Sequence, residues 1–158
     1  GETEMAALKA LKVEEINLNL LEEQLKKICL GCDRYSPDCK ESQCLIGFGR
    51  KVLRFAAGKK TLDIPGASGL LPQRDFKPYY PEQVAPAIAE TCRQCRQCRD
   101  NHSPDCVIAL VRSALEGALL QESIDYPGSV FLYLARMREQ HPDLAALLAR
   151  ELQKAERQ

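Results

Sequence analysis

Apolar residues recur at helical spacing in the first third of the chain. Leu21, Leu25 and Ile28 follow one another at intervals of four and three residues, which predicts a short amphipathic helix. Asn19, with Glu22 in the next turn, is typical of a helix N-terminus. The same periodicity then predicts a second helix, whose apolar stripe is Leu45, Phe48, Val52 and Phe55.

The second half of the chain repeats this plan. Pro81 or Pro86 opens a helix, and Ser103-Pro104-Asp105 has the residues that favour the start of another. Serine suits the N-cap, proline the first helical position and aspartate the first turn. The string Ser36-Pro37-Asp38 offers the same start upstream. The stripe after the second string is Val107, Val111, Ala114, Leu115, Ala118 and Leu119.

Two further helices are predicted at the C-terminus, one capped by Ser129 and one beginning at Pro142. No stretch shows the alternation of a strand, so we expect a small all-α fold in a single domain, residues 1–158. Its predicted parts are a half-repeat at about 19–57, a connector rich in glycine and proline at 58–81, a second half-repeat at about 82–121 and a C-terminal helix pair at 129–156.

All eight cysteines of the chain lie in two clusters between these predicted helices. The upstream cluster is Cys29, Cys32, Cys39 and Cys44, and the downstream cluster is Cys92, Cys95, Cys98 and Cys106. Both contain the string Ser-Pro-Asp-Cys. Thiols so closely spaced are typical of a shared metal, so we predict that each half-repeat is a helix, a cysteine-rich loop and a helix stapled by a metal site.

The two clusters can be aligned in two ways. Matching the Ser-Pro-Asp-Cys strings pairs Cys39 with Cys106 and leaves Cys44 and Cys92 as extra thiols, so that each site would borrow a ligand. Matching the helices that follow pairs Cys44 with Cys106 and gives two self-contained sites. Ligand exchange between sites occurs in two-cluster ferredoxins, and both alignments stay open at this point.

The spacing of the downstream thiols favours an iron–sulfur cluster. Cys92, Cys95 and Cys98 are separated by gaps of two residues, which resembles ferredoxin-type ligation over this short stretch. We therefore expect two [4Fe–4S] clusters, with zinc as the alternative, because the upstream gaps suit zinc as well. His102 could also bind zinc, but Tyr35 stands at the corresponding upstream position, which favours a non-ligand role.

Positive charges accompany both clusters. Arg93, Arg96 and Arg99 interleave the downstream cysteines and are candidate binding residues that would stabilise an anionic metal centre, or else solvated side chains of a surface loop. The run 50–60 carries five positive charges and no negative one. It is either the solvated side of a helix or a patch for an acidic partner or a phosphate backbone.

Composition narrows the functional classes. The chain has 158 residues, 45% of them hydrophobic, and no net charge, which disfavours long disorder and wholesale nucleic-acid binding. No apolar run reaches the roughly 18 residues of a membrane span, and no signal-peptide pattern opens the chain, so we expect a cytoplasmic protein with reduced thiols.

These observations lead to ranked hypotheses. The first is an iron–sulfur protein that acts as an electron-transfer or accessory subunit of a redox system, with a redox partner protein or a larger complex as its partner and no nucleic acid. The second is a zinc-stapled helical module that binds a protein or nucleic acid. An enzyme ranks third, because no phosphate-binding loop, nucleophile or acid–base group can be named.

Overall fold

The computed structural model describes residues 16–32, 44–73, 75, 79–95, 105–120, 124, 127 and 129–156. Over these residues the chain is all-helical and has no strand beyond one isolated bridge, which confirms the predicted fold class. The helices are α1 (Leu18–Leu30), α2 (Leu45–Lys59), α3 (Pro81–Cys95), α4 (Val107–Leu120), α5 (Val130–Gln140) and α6 (Pro142–Glu156), with a short 3-10 helix at Ala67–Leu70. None of the described helices has the length and apolar character that crossing a membrane requires.

The N-cap of α1 is Asn17, which corrects the prediction of Asn19. The side chain of Asn17 accepts a hydrogen bond from the Leu20 amide at 2.9 Å, as an N-cap does, whereas Asn19 lies exposed within the helix. The Asn17 amide in turn donates to the side-chain oxygen of Gln94 at 3.1 Å. The start of α1 is therefore fixed to the end of α3, a contact distant in sequence that no local pattern reveals.

Helix α2 follows its predicted stripe with one exception. Leu53 and Ala56 are buried in place of Phe55, which is 48% exposed. Gly49 lies where α1 and α2 approach each other, since a Cβ atom at this position would lie 2.9 Å from Cδ1 of Leu25. The missing side chain therefore lets the two helices pack closely around Leu25.

The connector is held against the start of α4 by Asp105, which corrects the prediction that Ser103-Pro104-Asp105 opens this helix. Helix α4 begins at Val107, and the Asp105 carboxylate accepts hydrogen bonds from the amides of Gly66 at 2.9 Å and Ser68 at 3.0 Å. These bonds hold the pKa of Asp105 below its usual value. The Val107 amide also donates to the Leu62 carbonyl at 2.8 Å, so the aspartate caps the connector's 3-10 turn instead of α4.

Two pairs of helices form the core. Helix α1 packs on α2, α3 packs on α4, and the pairs meet through α2 against α4 and α1 against α3. The C-terminal hairpin α5–α6 packs on α3 through α6. Pro81 and Pro142 each occupy a first helical position, as the sequence predicts, because proline lacks the amide hydrogen that would be unpaired there.

Equivalent positions are buried in the two pairs. In both α2 and α4, the first, second, fourth, fifth, eighth and ninth residues of the helix are buried. Leu21, Leu25 and Ile28 of α1 also hold the same places, counted from the helix start, as three buried residues of α3, which are Val84, Ile88 and Thr91. The similar burial follows from each helix contacting equivalent neighbours.

Candidate metal centres

Three upstream thiols converge between the end of α1 and the start of α2. Cys29 is in the last turn of α1, Cys32 follows that helix, and Cys44 directly precedes α2. Burial raises the pKa of the Cys29 thiol above its usual value, Arg50 opposes the shift, and the thiols of Cys44 and Cys32 add to it through their charge. The effect of Cys32 and of Cys44 on the Cys29 thiol indicates that both lie near Cys29.

Cys44 is the N-cap of α2. Its sulfur accepts a hydrogen bond from the Gly47 amide at 3.1 Å, and its carbonyl accepts from the Phe48 amide at 2.8 Å. The helix therefore begins at Leu45 instead of at Ser36-Pro37-Asp38, a string that lies outside the described residues. The Cys44 sulfur therefore lies at the positive end of the α2 dipole.

Arg50 joins a carboxylate to this group of thiols. Its Nε atom lies 3.1 Å from each carboxylate oxygen of Glu22, and its positive charge acts on the nearby Cys29 thiol. Burial lowers the pKa of Arg50, but the hydrogen bonds to Glu22 and the negative charges of Glu22 and Cys29 outweigh it and raise that pKa. The guanidinium thus places a fixed positive charge beside the upstream cysteines.

Tyr79 and Asp75 of the connector complete the surroundings of Cys44. Asp75 accepts hydrogen bonds from the Leu45 amide at 2.8 Å and from the Tyr79 hydroxyl. Burial, the bond to Asp75 and the neighbouring Cys44 together raise the pKa of Tyr79 far above its usual value. Tyr79 therefore remains neutral and donates its single hydroxyl proton to the Asp75 carboxylate, beside Cys44.

Truncating Asp75 should destabilise the fold at the start of α2. We expect Asp75→Ala to lower the free energy of unfolding by about 1–2 kcal/mol, because the Leu45 amide loses its cap, whereas Asp75→Asn keeps an acceptor and should cost less. Urea denaturation measures both, with Asp63→Ala as the control, since Asp63 is an exposed aspartate of the same connector. Equal losses for the Asp75→Ala and Asp63→Ala variants would contradict this role.

The downstream cysteines occupy matching places. Cys92 lies in the last turn of α3 and is fully buried, and Cys106 directly precedes α4, where its carbonyl accepts from the Leu110 amide at 2.8 Å. Cys95 is the last residue of α3. Cys39, Cys98 and the side chain of Cys95 lie outside the described residues.

A buried polar cluster lies beside Cys92. The Tyr133 hydroxyl of α5 donates to the Glu116 carboxylate, and the Arg112 guanidinium lies 5.9 Å from the centre of the Tyr133 ring. Burial raises the pKa of Tyr133 well above its usual value, and the charges of Glu116 and Cys92 add to this shift. The second oxygen of Glu116 accepts from the Ile124 amide at 3.1 Å. Helix α5 is thereby attached next to the downstream cysteines.

Of the three arginines predicted to bind near the downstream cysteines, the structure describes Arg93. Its guanidinium forms an ion pair with Glu90 of the same helix at 3.0 Å, so its charge is paired within α3. Arg96, Arg99 and His102 lie outside the described residues, and their predicted roles stay predictions.

Neither cysteine set is described in full. Over the described part of the chain, no three cysteine, histidine, aspartate or glutamate side chains are arranged to hold a metal ion. Charges act on one another over longer distances than a metal and its ligands span, so the effect of Cys32 and Cys44 on Cys29 is compatible with this absence.

No family model, curated protein or solved structure matches this chain.

Several contacts at these centres have no signal in the sequence pattern. Asp75 and Tyr79 belong to an irregular connector, and Glu22 looked like a residue of a capping box. Arg50 was visible only as a member of a basic run. Arg50 lies one and a half turns into α2, on the side of that helix that faces α1, and this spacing could have indicated its contact with α1.

Proposed function

We propose that this protein binds two iron–sulfur clusters, one at each four-cysteine set, and transfers electrons as a subunit of a redox system. The placement of Cys29 and Cys32 at the end of α1 and of Cys44 directly before α2, which packs on α1, is the observation that carries the proposal. Cys39 completes the upstream set, and the downstream set is Cys92, Cys95, Cys98 and Cys106. Zinc at the same thiols is the alternative.

The helix positions favour two self-contained sites that arose from an internal repeat. Counted from the helix starts, Cys29 of α1 corresponds to Cys92 of α3, and Cys44 corresponds to Cys106 as the residue before the next helix. The matching burial of the helices supports this alignment over the one based on the Ser-Pro-Asp-Cys strings. Under it no site borrows a ligand from the other.

Donors and positive charge near the sulfurs support an anionic metal centre. Cys44 accepts from the Gly47 amide, and the positive charge of Arg50 acts on Cys29. Such donors stabilise an anionic cluster and set its reduction potential. They would also stabilise a zinc tetrathiolate, so the two-residue gaps of the downstream set remain the feature that favours iron.

Metal analysis of protein purified without oxygen tests the proposal. We expect about eight irons and about eight sulfides per chain, with a broad brown absorption that dithionite bleaches. One or two zincs in a colourless protein would overturn the proposal in favour of the zinc module. Chain produced without added iron and then reconstituted serves as the control for adventitious metal.

A further inference from the structure

The solvent side of α1 and α2 carries a cluster of positive charges. This surface, here called the open face, consists of Lys26, Lys27, Lys51, Arg54 and Phe55. All five are exposed, and Phe55 gives the cluster an apolar element. An ion pair between Glu22 of α1 and Arg50 of α2 joins the two helices, and the open face extends over both of them.

The corresponding face of the other helix pair is covered by protein. Counted from the helix starts, Lys26 and Lys27 of α1 correspond to Ala89 and Glu90 of α3, and both of these are buried. Arg54 of α2 corresponds in the same way to Glu116 of α4, which is buried.

The C-terminal hairpin provides this cover. Helix α6 packs on α3, and Tyr133 of α5 binds Glu116. One half of the molecule thus has a helical hairpin where the other half has exposed cations. The hairpin shows that this side of such a helix pair can accommodate packed helices.

We propose that the open face docks a partner protein that presents an acidic helical surface. The cations supply the charge complementarity, and two exposed apolar side chains, Phe55 of α2 and Leu30 at the end of α1, supply apolar contacts. Exposed apolar side chains such as these pack against a protein surface and have no counterpart in a phosphate backbone. These features favour a protein over a nucleic acid.

The open face lies close to the upstream cysteines. Cys29 follows Lys26 and Lys27 in the last turn of α1, so a docked partner would lie next to the upstream cysteines. The proposal rests on helix packing and charge, and it holds whether the cysteines bind iron–sulfur clusters or zinc.

A labelled helical peptide with glutamates on one face and leucines on the other is the probe. We expect it to bind the full chain with an affinity that falls as salt is added, and the double variant Lys26→Glu/Lys51→Glu to bind it at least about tenfold more weakly. The double variant Arg138→Glu/Arg150→Glu makes the same change in net charge on exposed residues of α5 and α6, and should stay within about twofold of the parent.

Lysine acylation read by mass spectrometry locates the contact. The bound peptide should protect Lys26, Lys27 and Lys51 and leave Lys154 reactive, since the Lys154 side chain is 64% exposed on α6. Equal weakening in the two double variants, or tighter binding of a DNA duplex than of the peptide, would overturn the proposal. Metal content measured on the same samples keeps the two proposals separate: chain without metal that still shows the charge-dependent binding contradicts the proposed function alone.

Discussion

Replacing Cys44 with serine should remove one of the two proposed clusters and leave the other intact. In a chain with two self-contained sites, iron should fall from about eight to about four per chain. Serine keeps an acceptor for the Gly47 amide and is a preferred N-cap, so α2 should still form. The loss of iron would then report the lost ligand and not a lost helix.

The complementary variants decide between the two alignments. Cys92→Ser should also leave about four irons, and the double variant should leave none, if the sites are independent. If the sites exchange ligands, either single substitution should release metal from both. Ser129→Ala is the control, because Ser129 occupies the N-cap of α5 without a side-chain cap bond, and its iron content should be unchanged.

The helices could be predicted where proline and apolar spacing agreed. Pro81 and Pro142 begin α3 and α6, and the predicted stripe of α4 is buried from Val107 to Leu115 and partly buried at Ala118 and Leu119. The starts of α1 and α2 could not be predicted as well, because they depend on other parts of the chain. Asn17 was one of two nearby asparagines, and its contact with Gln94 is distant in sequence.

The sequence locates the cysteines of the two candidate sites but not the residues that surround them. Cysteine is not among the residues expected at an N-cap, so nothing placed Cys44 there in advance. Asp75 reaches α2 from an irregular connector, where no periodicity indicates which way a side chain points. Such contacts are determined by packing between elements, which single-sequence patterns do not contain.

The C-terminal hairpin shows how much of the fold depends on one such contact. Tyr133 is fully buried and binds Glu116, while Phe131, two positions earlier on α5, is 85% exposed. We expect Tyr133→Ala to lower the free energy of unfolding by about 3–5 kcal/mol, because the variant loses the buried ring and leaves the Glu116 carboxylate without this donor.

Phe131→Ala is the matched control, since it truncates an aromatic side chain of the same helix that is already in solvent. Its free energy of unfolding should change by no more than about 0.5 kcal/mol. Tyr133→Phe separates the two contributions: it keeps the ring, so a loss of about 1–3 kcal/mol would measure the hydroxyl bond to the buried carboxylate. Denaturant titrations of the three variants give these values. Similar losses of stability for Tyr133→Ala and Phe131→Ala would mean that α5 is not attached through Tyr133. The C-terminal hairpin would then not be held over the second helix pair, and the difference between the two halves of the molecule would disappear.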